Sequence, residues 1–173
     1  MTVFIKEYKT GTKEGQVTFV DITKEVREAV NESGIEQGIC TVNTSHTTCS
    51  VFFEEFTHDV DDNGTELLLL DMDECLQKIV PNHNSAETYR YPGEEHYREV
   101  ESWPDLDKWL PGGDRSLLWN GDAHIKSSIL GSSETFVVKD GELAVGVTGY
   151  IYFVDFDRTR ERERKYTVTV LGE

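Results

Sequence analysis

The sequence NGDAHIKSSILG, from Asn120 to Gly131, predicts a short helix that carries several ionisable side chains. Asp122 suits the N-cap because its carboxylate can accept from free amide groups, and Gly131 suits the residue that ends a helix. A helical wheel places three polar side chains on one side: His124, Ser127 and Ser128. A helix this short is not stable alone and must be held by packing. We therefore expect it to present a functional site on the domain that supports it.

Composition favours one acidic domain. The chain has 173 residues, 37% of them hydrophobic, and 33 acidic against 17 basic residues give a net charge of -16. Such a charge repels phosphate backbones and anionic lipids, so we expect no nucleic-acid and no membrane partner. The sequence starts without a signal-like apolar region and has no run of roughly 20 apolar residues, so we expect a cytoplasmic protein.

The cysteines do not predict a disulfide or a zinc site. Their number is odd, they lack C-x-x-C spacing, and they lie in apolar surroundings at Cys40, Cys49 and Cys75. This pattern is typical of buried, reduced thiols.

The order of predicted elements indicates an α+β fold in one domain, residues 1–173, with a mainly antiparallel sheet or sandwich. Alternating apolar residues predict eight strands: Val3–Tyr8, Gln16–Ile22, Gly38–Thr44, Thr47–Glu54, Thr135–Lys139, Glu142–Gly146, Tyr150–Phe156 and Lys165–Leu171. The first two strands are expected to pair with each other. Asp140-Gly141 is a strong hairpin signal, and residues 43–46 form either a tight turn or a bend in one long strand.

Two main helices accompany the short one. The first begins at Thr23 and ends at Ser33-Gly34, and the longer one lies within Asp59–Val80 and ends at Pro81. The longer helix has a broad apolar face, so we expect it to be the main core element against the sheet. Residues 82–118 are mostly polar, with one possible helical turn at Leu106–Leu110, and long loops of this kind are often lids.

Three histidines are candidates for chemistry: His46 in a Ser/Thr-rich stretch, His96 in the polar loop, and His124 in the short helix. No two of them have the local spacing of a metal site, so only the fold could bring them together. A solitary histidine such as His46 is more often structural than a ligand. His58 and His83 lie among surface-type residues and are weaker candidates.

The segment His124–Gly131, with Asn120 and Asp122-Ala123 before it, is similar to the signature helix of the YjbQ family, also called secondary thiamine-phosphate synthases. The similarity extends over nearly the whole chain. Further matching segments are His46-Thr47-Thr48 with the strand and Glu55 after it, Asp71-Met72, Ile79-Val80-Pro81, Gly141, Gly146, the arginine-rich turn and Leu171-Gly172-Glu173.

The resemblance implies an α+β homotrimer with a polar pocket near subunit contacts. It also implies a weak ability to join a pyrimidine diphosphate to a thiazole phosphate with release of pyrophosphate. The catalytic candidates are His46, Glu55, His124 and Lys126. The candidates for binding a phosphorylated small molecule or another anion are Asn120, Ser127, Thr47 and Arg160. The candidate ligands of a divalent metal, zinc or magnesium, are His46, His96 and His124.

These residue types suit the implied chemistry. Expelling pyrophosphate needs positive charge, which Lys126 or a metal ion could supply, and the Ser127 hydroxyl could bind phosphate oxygens. Neutral histidines could instead act as general acid or base near pH 7. The residues leave both readings open.

The chain departs from the family pattern in three places. Residues 146–150 read Gly-Val-Thr-Gly-Tyr where the family has a G-T-W-Q run, so an indole and an amide are lost. Residues of about 98–118 resemble an insertion that could cover or reshape the pocket, which leaves His83 as an alternative to His96. Glu54 precedes Glu55 where the family has Asn.

The turn Asp157–Arg164 contains four arginines among alternating charges. Such alternation usually marks a solvated surface whose charges pair with each other. In so acidic a chain, this cluster could also bind an anion, through Arg160 for example, or a neighbouring subunit.

Three functions are compatible with the sequence. The first is an enzyme of the thiamine-phosphate synthase kind or a metal-assisted phosphotransferase or hydrolase. The second is a non-catalytic trimeric module that binds a metabolite or metal, which the lost Trp and Gln favour. The third, nucleic-acid binding through the arginine turn, is disfavoured by the net charge of -16.

Overall fold

Two antiparallel sheets form the framework of the computed structural model, which describes all residues, 1–173. The strands are β1 (Thr2–Thr12), β2 (Thr18–Asp21), β3 (Gln37–Asn43), β4 (Cys49–Glu55), β5 (Ser133–Lys139), β6 (Glu142–Leu143), β7 (Gly149–Asp155) and β8 (Arg162–Gly172). The larger sheet has the order β1-β8-β3-β5-β6, and the smaller has the order β2-β7-β4. The predicted α+β class is confirmed.

Five α-helices accompany the sheets: α1 (Thr23–Ser33), α2 (Leu67–Ile79), α3 (Glu94–Glu101), α4 (Leu106–Trp109) and α5 (Gly121–Leu130). Two short 3-10 helices, Pro111–Gly113 and Arg115–Leu118, lie between α4 and α5. None of these helices combines the length and the apolar composition that crossing a membrane requires.

The first two strands do not pair with each other, so that prediction is wrong. β1 pairs along its whole length with β8, from Thr2 opposite Gly172 to Thr12 opposite Arg162. β2 pairs with β7 in the other sheet. The connection between them is closed locally by a hydrogen bond from the Lys13 amide to the Thr18 hydroxyl, 2.9 Å long. The chain therefore leaves one sheet and enters the other here, as it does again between β3 and β4.

The β5–β6 hairpin confirms the turn signal. Asp140 and Gly141 both have positive φ, 54° and 75°, as a two-residue turn of this kind requires. Strand β6 is shorter than predicted and ends at Leu143.

Helix α1 covers the main core. It begins at Thr23 as predicted and ends at Gly34, whose φ of 64° is the left-handed conformation expected of a helix-ending glycine. A cluster of 17 buried residues joins its apolar face to both sheets, with Val26, Val42, Phe153 and Val168 all fully buried.

The longer predicted helix is shorter than expected and is not the main core element. Residues 59–66 form a turn in which the Asp61 carboxylate accepts from the amides of Asn63 and Thr65, so α2 begins only at Leu67. Helix α2 buries Leu69 and Leu76 in a second cluster of seven residues, and none of its residues joins the main one. A side chain that competes for backbone amides ends a helical pattern that apolar spacing alone would extend.

The polar segment before α5 is folded. Trp103 and Trp109 pack edge to face with their rings 5.4 Å apart, and Arg115 forms ion pairs with Glu94 and Glu101. The predicted turn at Leu106–Leu110 is present as α4. This segment leads directly into the candidate site.

Candidate functional site

Helix α5 lies on β4 and is held there by buried polar contacts. The Ser127 hydroxyl donates to the carbonyl of Cys49 at 2.6 Å, and the Ser50 hydroxyl donates to the carbonyl of Ser127 at 3.2 Å. Ala123 packs in the second cluster beneath the helix. These contacts explain how a helix of ten residues keeps a fixed position.

The N-cap of α5 differs from the prediction. Asn120 occupies the cap position, and Asp122 lies in the first turn. The buried Asp122 carboxylate accepts from Arg158 at 3.2 Å, so one arginine of the charged turn neutralises it. The predicted end of the helix at Gly131 is confirmed, with φ 95°.

Lys126 is fully buried and already has a partner. Its ammonium donates to the Asp73 carboxylate on α2 at 2.9 Å and lies 5.8 Å from the centre of the Phe156 ring. It lines none of the cavities that border α5. In this arrangement the ion pair joins α5 to α2, and the predicted contact of Lys126 with phosphate stays a prediction.

One cavity beside α5 has aromatic and apolar walls, and we call it the aromatic cavity. It has a volume of about 600 Å³ and is lined by Tyr89, Arg90, Tyr91, His96, Gly121, His124 and Ile125. The Tyr91 hydroxyl lies 3.2 Å from Nε2 of His96, and the Tyr91 ring meets the His124 ring edge to face at 5.6 Å. The fold thus brings together two of the three histidine candidates.

The surroundings of His124 favour its neutral form at pH 7. Burial lowers the pKa of its imidazole below the usual 6.5, and this effect outweighs the Asp157 carboxylate and the backbone of Thr47, which both favour the protonated form. A neutral imidazole can accept or donate a proton in the physiological range. Ser127 and Ser128, which follow His124 on α5, line a second cavity.

This second cavity, the hydroxyl cavity, has about 410 Å³ and no apolar residue in its wall. It is lined by Thr44, Ser45, His46, Thr47, Ser127, Ser128, Gly131 and Ser132. His46 accepts the Lys165 amide hydrogen at Nε2, at 3.0 Å, so in the neutral ring Nδ1 carries the proton. Burial and the nearby Arg164 lower the pKa of His46. The wall contains no carboxylate, so it does not repel an anion.

The remaining candidates lie outside both cavities. Glu55 is exposed at the end of β4, and Asn120 donates to the Asp157 carboxylate at 3.0 Å. Arg160 donates to the carbonyls of Lys108 and Trp109 at the end of α4. Asn120 and Arg160 therefore make structural contacts within the chain, whereas the Glu55 side chain makes no hydrogen bond or ion pair. The predicted contacts of all three with substrate stay untested.

The three histidines do not form one metal site within a chain. No group of three or more His, Cys, Asp or Glu side chains is arranged to bind a metal ion. His96 and His124 share the aromatic cavity, whereas His46 lines the hydroxyl cavity and uses Nε2 for a backbone amide. Two imidazoles are one ligand short of a catalytic zinc site, so the arrangement within one chain does not support the metal, which stays a prediction.

Sequence reasoning missed Tyr91 and misjudged His83. Tyr91 contacts both histidines of the aromatic cavity, and the only signal for it was an aromatic residue directly before Pro92-Gly93. His83 was expected at the surface, but only 5% of it is exposed, and its Nδ1 accepts the Gly121 amide hydrogen at 3.1 Å. The polar residues around His83 gave no sign that this loop packs against the start of α5 and buries the histidine.

The altered strand around Gly149 lies apart from these cavities. A side chain at position 149 would collide with the ring of Phe53 and the carbonyl of Val145. Phe53 thus occupies space that a larger residue at 149 would need.

Two antiparallel sheets with a histidine-bearing helix packed on β4 define an α+β domain. The chain belongs to the UPF0047 protein YjbQ-like family, whose model matches residues 7–173. It is 31% identical to a UPF0047 protein of Archaeoglobus fulgidus, over 85% of this chain and 87% of that one. A UPF0047 protein of Methanocaldococcus jannaschii is 27% identical over 99% of this chain and 95% of its own.

Solved structures show the same fold. An uncharacterised conserved protein of the yjbq/upf0047 family from Clostridium acetobutylicum aligns with a TM-score of 0.67 and 28% identity, covering 96% of this chain and 99% of that one. A YbjQ-like protein of unknown function from Sulfolobus solfataricus aligns with a TM-score of 0.66 and 24% identity, covering 99% and 100%.

Proposed function

We propose that the protein binds a phosphorylated ring compound along α5, with the ring in the aromatic cavity and the phosphate in the hydroxyl cavity. The position of His124 is the observation that carries this proposal. Its imidazole packs against Tyr91 in one cavity, and Ser127 and Ser128, the next turn of the same helix, line the other. A ligand that spans both cavities would pass this side chain.

The aromatic cavity suits a flat ring. Its volume of about 600 Å³ lies within the usual range for small-molecule sites. Tyr89 and Tyr91 offer ring faces for offset or edge-to-face contact, and Ile125 offers an apolar surface. The Tyr91–His96 pair supplies polar atoms that could orient ring nitrogens.

The hydroxyl cavity suits the phosphate. The hydroxyls of Thr44, Ser127 and Ser128 already donate to backbone carbonyls. The hydroxyls of Ser45, Thr47 and Ser132 and the Nδ1 hydrogen of His46 can donate to phosphate oxygens, and no carboxylate in the wall opposes the negative charge. These donors are neutral, and Lys126 is paired with Asp73. We therefore expect affinity to depend on the ring as well as on the phosphate.

The finer proposal is a weak transfer reaction of the thiamine-phosphate synthase kind. The thiazole nitrogen would form a bond to the pyrimidine methylene carbon as the bond to the diphosphate oxygen breaks, releasing pyrophosphate. Membership of the YjbQ-like family supports this choice of substrates through the resemblance. His124, neutral at pH 7, is the residue placed to exchange a proton with the ligand.

We also propose a homotrimer. A row of apolar side chains crosses the outer face of the larger sheet, because Val3 pairs with Leu171, Leu171 with Ile39, and Ile39 with Val137. Three of the four are substantially exposed, and such a row on a flat sheet face favours contact with another copy. Light scattering on the purified protein, with Val137→Lys as the disrupting variant, tests this: a monomeric wild-type protein would contradict it.

One pair of variants tests the site. His124→Asn removes an imidazole from the wall of the aromatic cavity, and His58→Asn removes an exposed histidine that lines neither cavity. We expect a thiazole phosphate to raise the melting temperature of wild type and of the His58 variant but not of the His124 variant. Inorganic phosphate alone should give a smaller shift. Equal shifts in all three proteins would contradict the site.

The same proteins decide between enzyme and binding module. Incubation with the pyrimidine diphosphate and the thiazole phosphate, with and without Mg²⁺, should yield thiamine phosphate with wild type and none above background with His124→Asn. Ligand stabilisation without any product would favour the non-catalytic module instead.

A further inference from the structure

The polar side chains in the wall of the aromatic cavity are mostly engaged within the chain. The Tyr89 hydroxyl donates to the carbonyl of Pro81. The Tyr91 hydroxyl and Nε2 of His96 lie 3.2 Å apart and bond to each other. A ligand in this cavity therefore meets mainly ring faces and aliphatic carbon.

Arg90 is the exception in this wall. It is the one arginine there, and the wall contains no lysine, aspartate or glutamate. Its guanidinium makes no hydrogen bond or ion pair within the chain. The next two carboxylates of the sequence have other partners, because Glu94 pairs with Arg115 and Glu95 pairs with Arg98. The aromatic cavity thus has one cationic group without a counter-charge.

Arg90 enters the wall near the start of α5. The residue before it, Tyr89, packs on Gly121, where an added Cβ would lie 3.4 Å from Cγ of the tyrosine ring. The hydroxyl cavity lies against the other end of the helix, at Ser127 and Ser128. With a rise of 1.5 Å per residue, Gly121 and Ser127 are about 9 Å apart along the axis. A ligand with its phosphate in the hydroxyl cavity therefore presents a different group to Arg90.

We propose that the aromatic cavity selects a flat ring that carries its own oxyanion, a carboxylate or a phosphate, and that Arg90 binds this group. A guanidinium donates two parallel hydrogen bonds to either oxyanion. A cationic ring would be repelled by Arg90, and no carboxylate in the wall would compensate. The inference rests on the proposed function, since it uses the same cavity, and it narrows the ligand to a ring compound with an anionic group at each end.

Benzoate is a suitable probe because it joins an aromatic ring to a carboxylate and has no group for the hydroxyl cavity. The imidazole ¹H and ¹⁵N signals of His96 and His124, both in the cavity wall, report its binding to the full-length protein. We expect saturable shifts with benzoate, several-fold weaker binding of benzamide, and no binding of benzylammonium or acetate. No saturable shift with benzoate, or benzamide, benzylammonium or acetate binding as tightly as benzoate, would overturn the proposal.

Variants at position 90 test the role of the guanidinium. Arg90 is exposed, so its variants should fold normally. Arg90→Gln should weaken benzoate binding about ten-fold, as expected for the loss of hydrogen bonds between charged groups. Arg90→Lys keeps the charge without the two parallel bonds and should bind with intermediate affinity. The matched control Arg98→Gln removes an exposed arginine of α3 that does not line the cavity, and it should bind benzoate like wild type. Equal affinities in wild type and Arg90→Gln would overturn the proposal.

Phenyl phosphate distinguishes the two oxyanions in the same titration. Tighter binding than benzoate, lost in Arg90→Gln, would identify a phosphate at Arg90, and weaker binding would identify a carboxylate.

The melting temperature separates this inference from the proposed function. A thiazole phosphate has its one anionic group in the hydroxyl cavity, so it should stabilise Arg90→Gln as much as wild type. If it stabilises both proteins while benzoate fails to bind, the anion site at Arg90 is wrong and the proposed function stands. If benzoate binds through Arg90 while thiazole phosphate stabilises neither protein, the anion site stands and the proposed function is contradicted.

Discussion

The two hydrophobic clusters of this domain are built differently. The main cluster of 17 buried residues is almost entirely aliphatic and aromatic and lies beneath α1. The second cluster has seven residues beneath α2 and α5, and buried polar contacts surround it: Lys126 with Asp73, Tyr152 with Glu66, and Ser127 with Cys49. The main cluster makes the fold stable. The second sets the position of the helix that carries the candidate site.

The largest expected effect concerns the main cluster. Phe153 is fully buried within it, so Phe153→Ala should lower the free energy of unfolding by about 3–5 kcal/mol through lost burial and a residual cavity. Urea denaturation followed by circular dichroism measures this. Leu76→Ala in the second cluster should cost less, because Leu76 lies at the rim and is 8% exposed. A larger cost for Leu76 would reverse our ranking of the clusters.

The Lys126–Asp73 pair should respond asymmetrically to mutation. Asp73→Ala leaves a fully buried ammonium without a counter-charge and should cost about 3 kcal/mol or more. Lys126→Met should cost less, since the side chain of Asp73 is 15% exposed and can be hydrated. The double variant should be more stable than Asp73→Ala alone. The same denaturation experiment tests all three, and equal costs for the two single variants would contradict a buried lysine.

Acid should destabilise the region around α5 before it affects the main cluster. Burial lowers the pKa values of His83 and His124 from the unfolded value of 6.5, so below pH 6.5 the unfolded chain binds more protons than the native one. The free energy of unfolding should therefore be at its full value above that pH and decrease as the pH falls through the window below it. His124→Gln should make the decrease shallower between about pH 7 and 5.5. An unchanged slope would contradict the burial of this imidazole.

The same contrast explains what the sequence could predict. Periodicity located α1, the hairpin at Asp140-Gly141 and all eight strands to within a few residues, because each is determined by local apolar spacing and turn chemistry. The pairing of β1 with β8 was missed, since 150 residues separate Thr12 from Arg162 and no local signal connects them. Long-range pairing depends on which strands share a buried face.

The candidate site was only partly predictable for a similar reason. The signature helix drew attention to His124, and the fold confirms that His124 borders a cavity. The sequence could not show that Lys126 pairs with Asp73 or that Arg160 contacts carbonyl groups. A sequence gives the type of a charged residue but does not reveal whether that residue binds a ligand or another part of its own chain. Tyr91 and His83 were hidden in a polar segment whose packing only the fold reveals.

The smallest expected effect on stability comes from mutating Arg160. This residue connects the charged turn to the segment before α5. Its guanidinium donates to the carbonyls of Lys108 and Trp109, at 3.0 and 2.7 Å. Arg160→Gln should lower the global free energy of unfolding by about 1 kcal/mol or less. Amide hydrogen exchange in residues 102–118 should nevertheless accelerate about five-fold. In the wild type these two hydrogen bonds must break before the segment can open, and in the variant they are absent.

Arg98→Gln is the matched control, since Arg98 pairs with Glu95 on the surface of α3 and holds no other element. It should leave exchange in residues 102–118 unchanged. If Arg160 instead binds the phosphate of a ligand, as its place in an acidic chain first indicates, Arg160→Gln would weaken ligand binding and leave hydrogen exchange as in wild type. Each outcome excludes the other reading, because a guanidinium whose donors are engaged by two carbonyls at the end of α4 can serve a ligand only by releasing that segment.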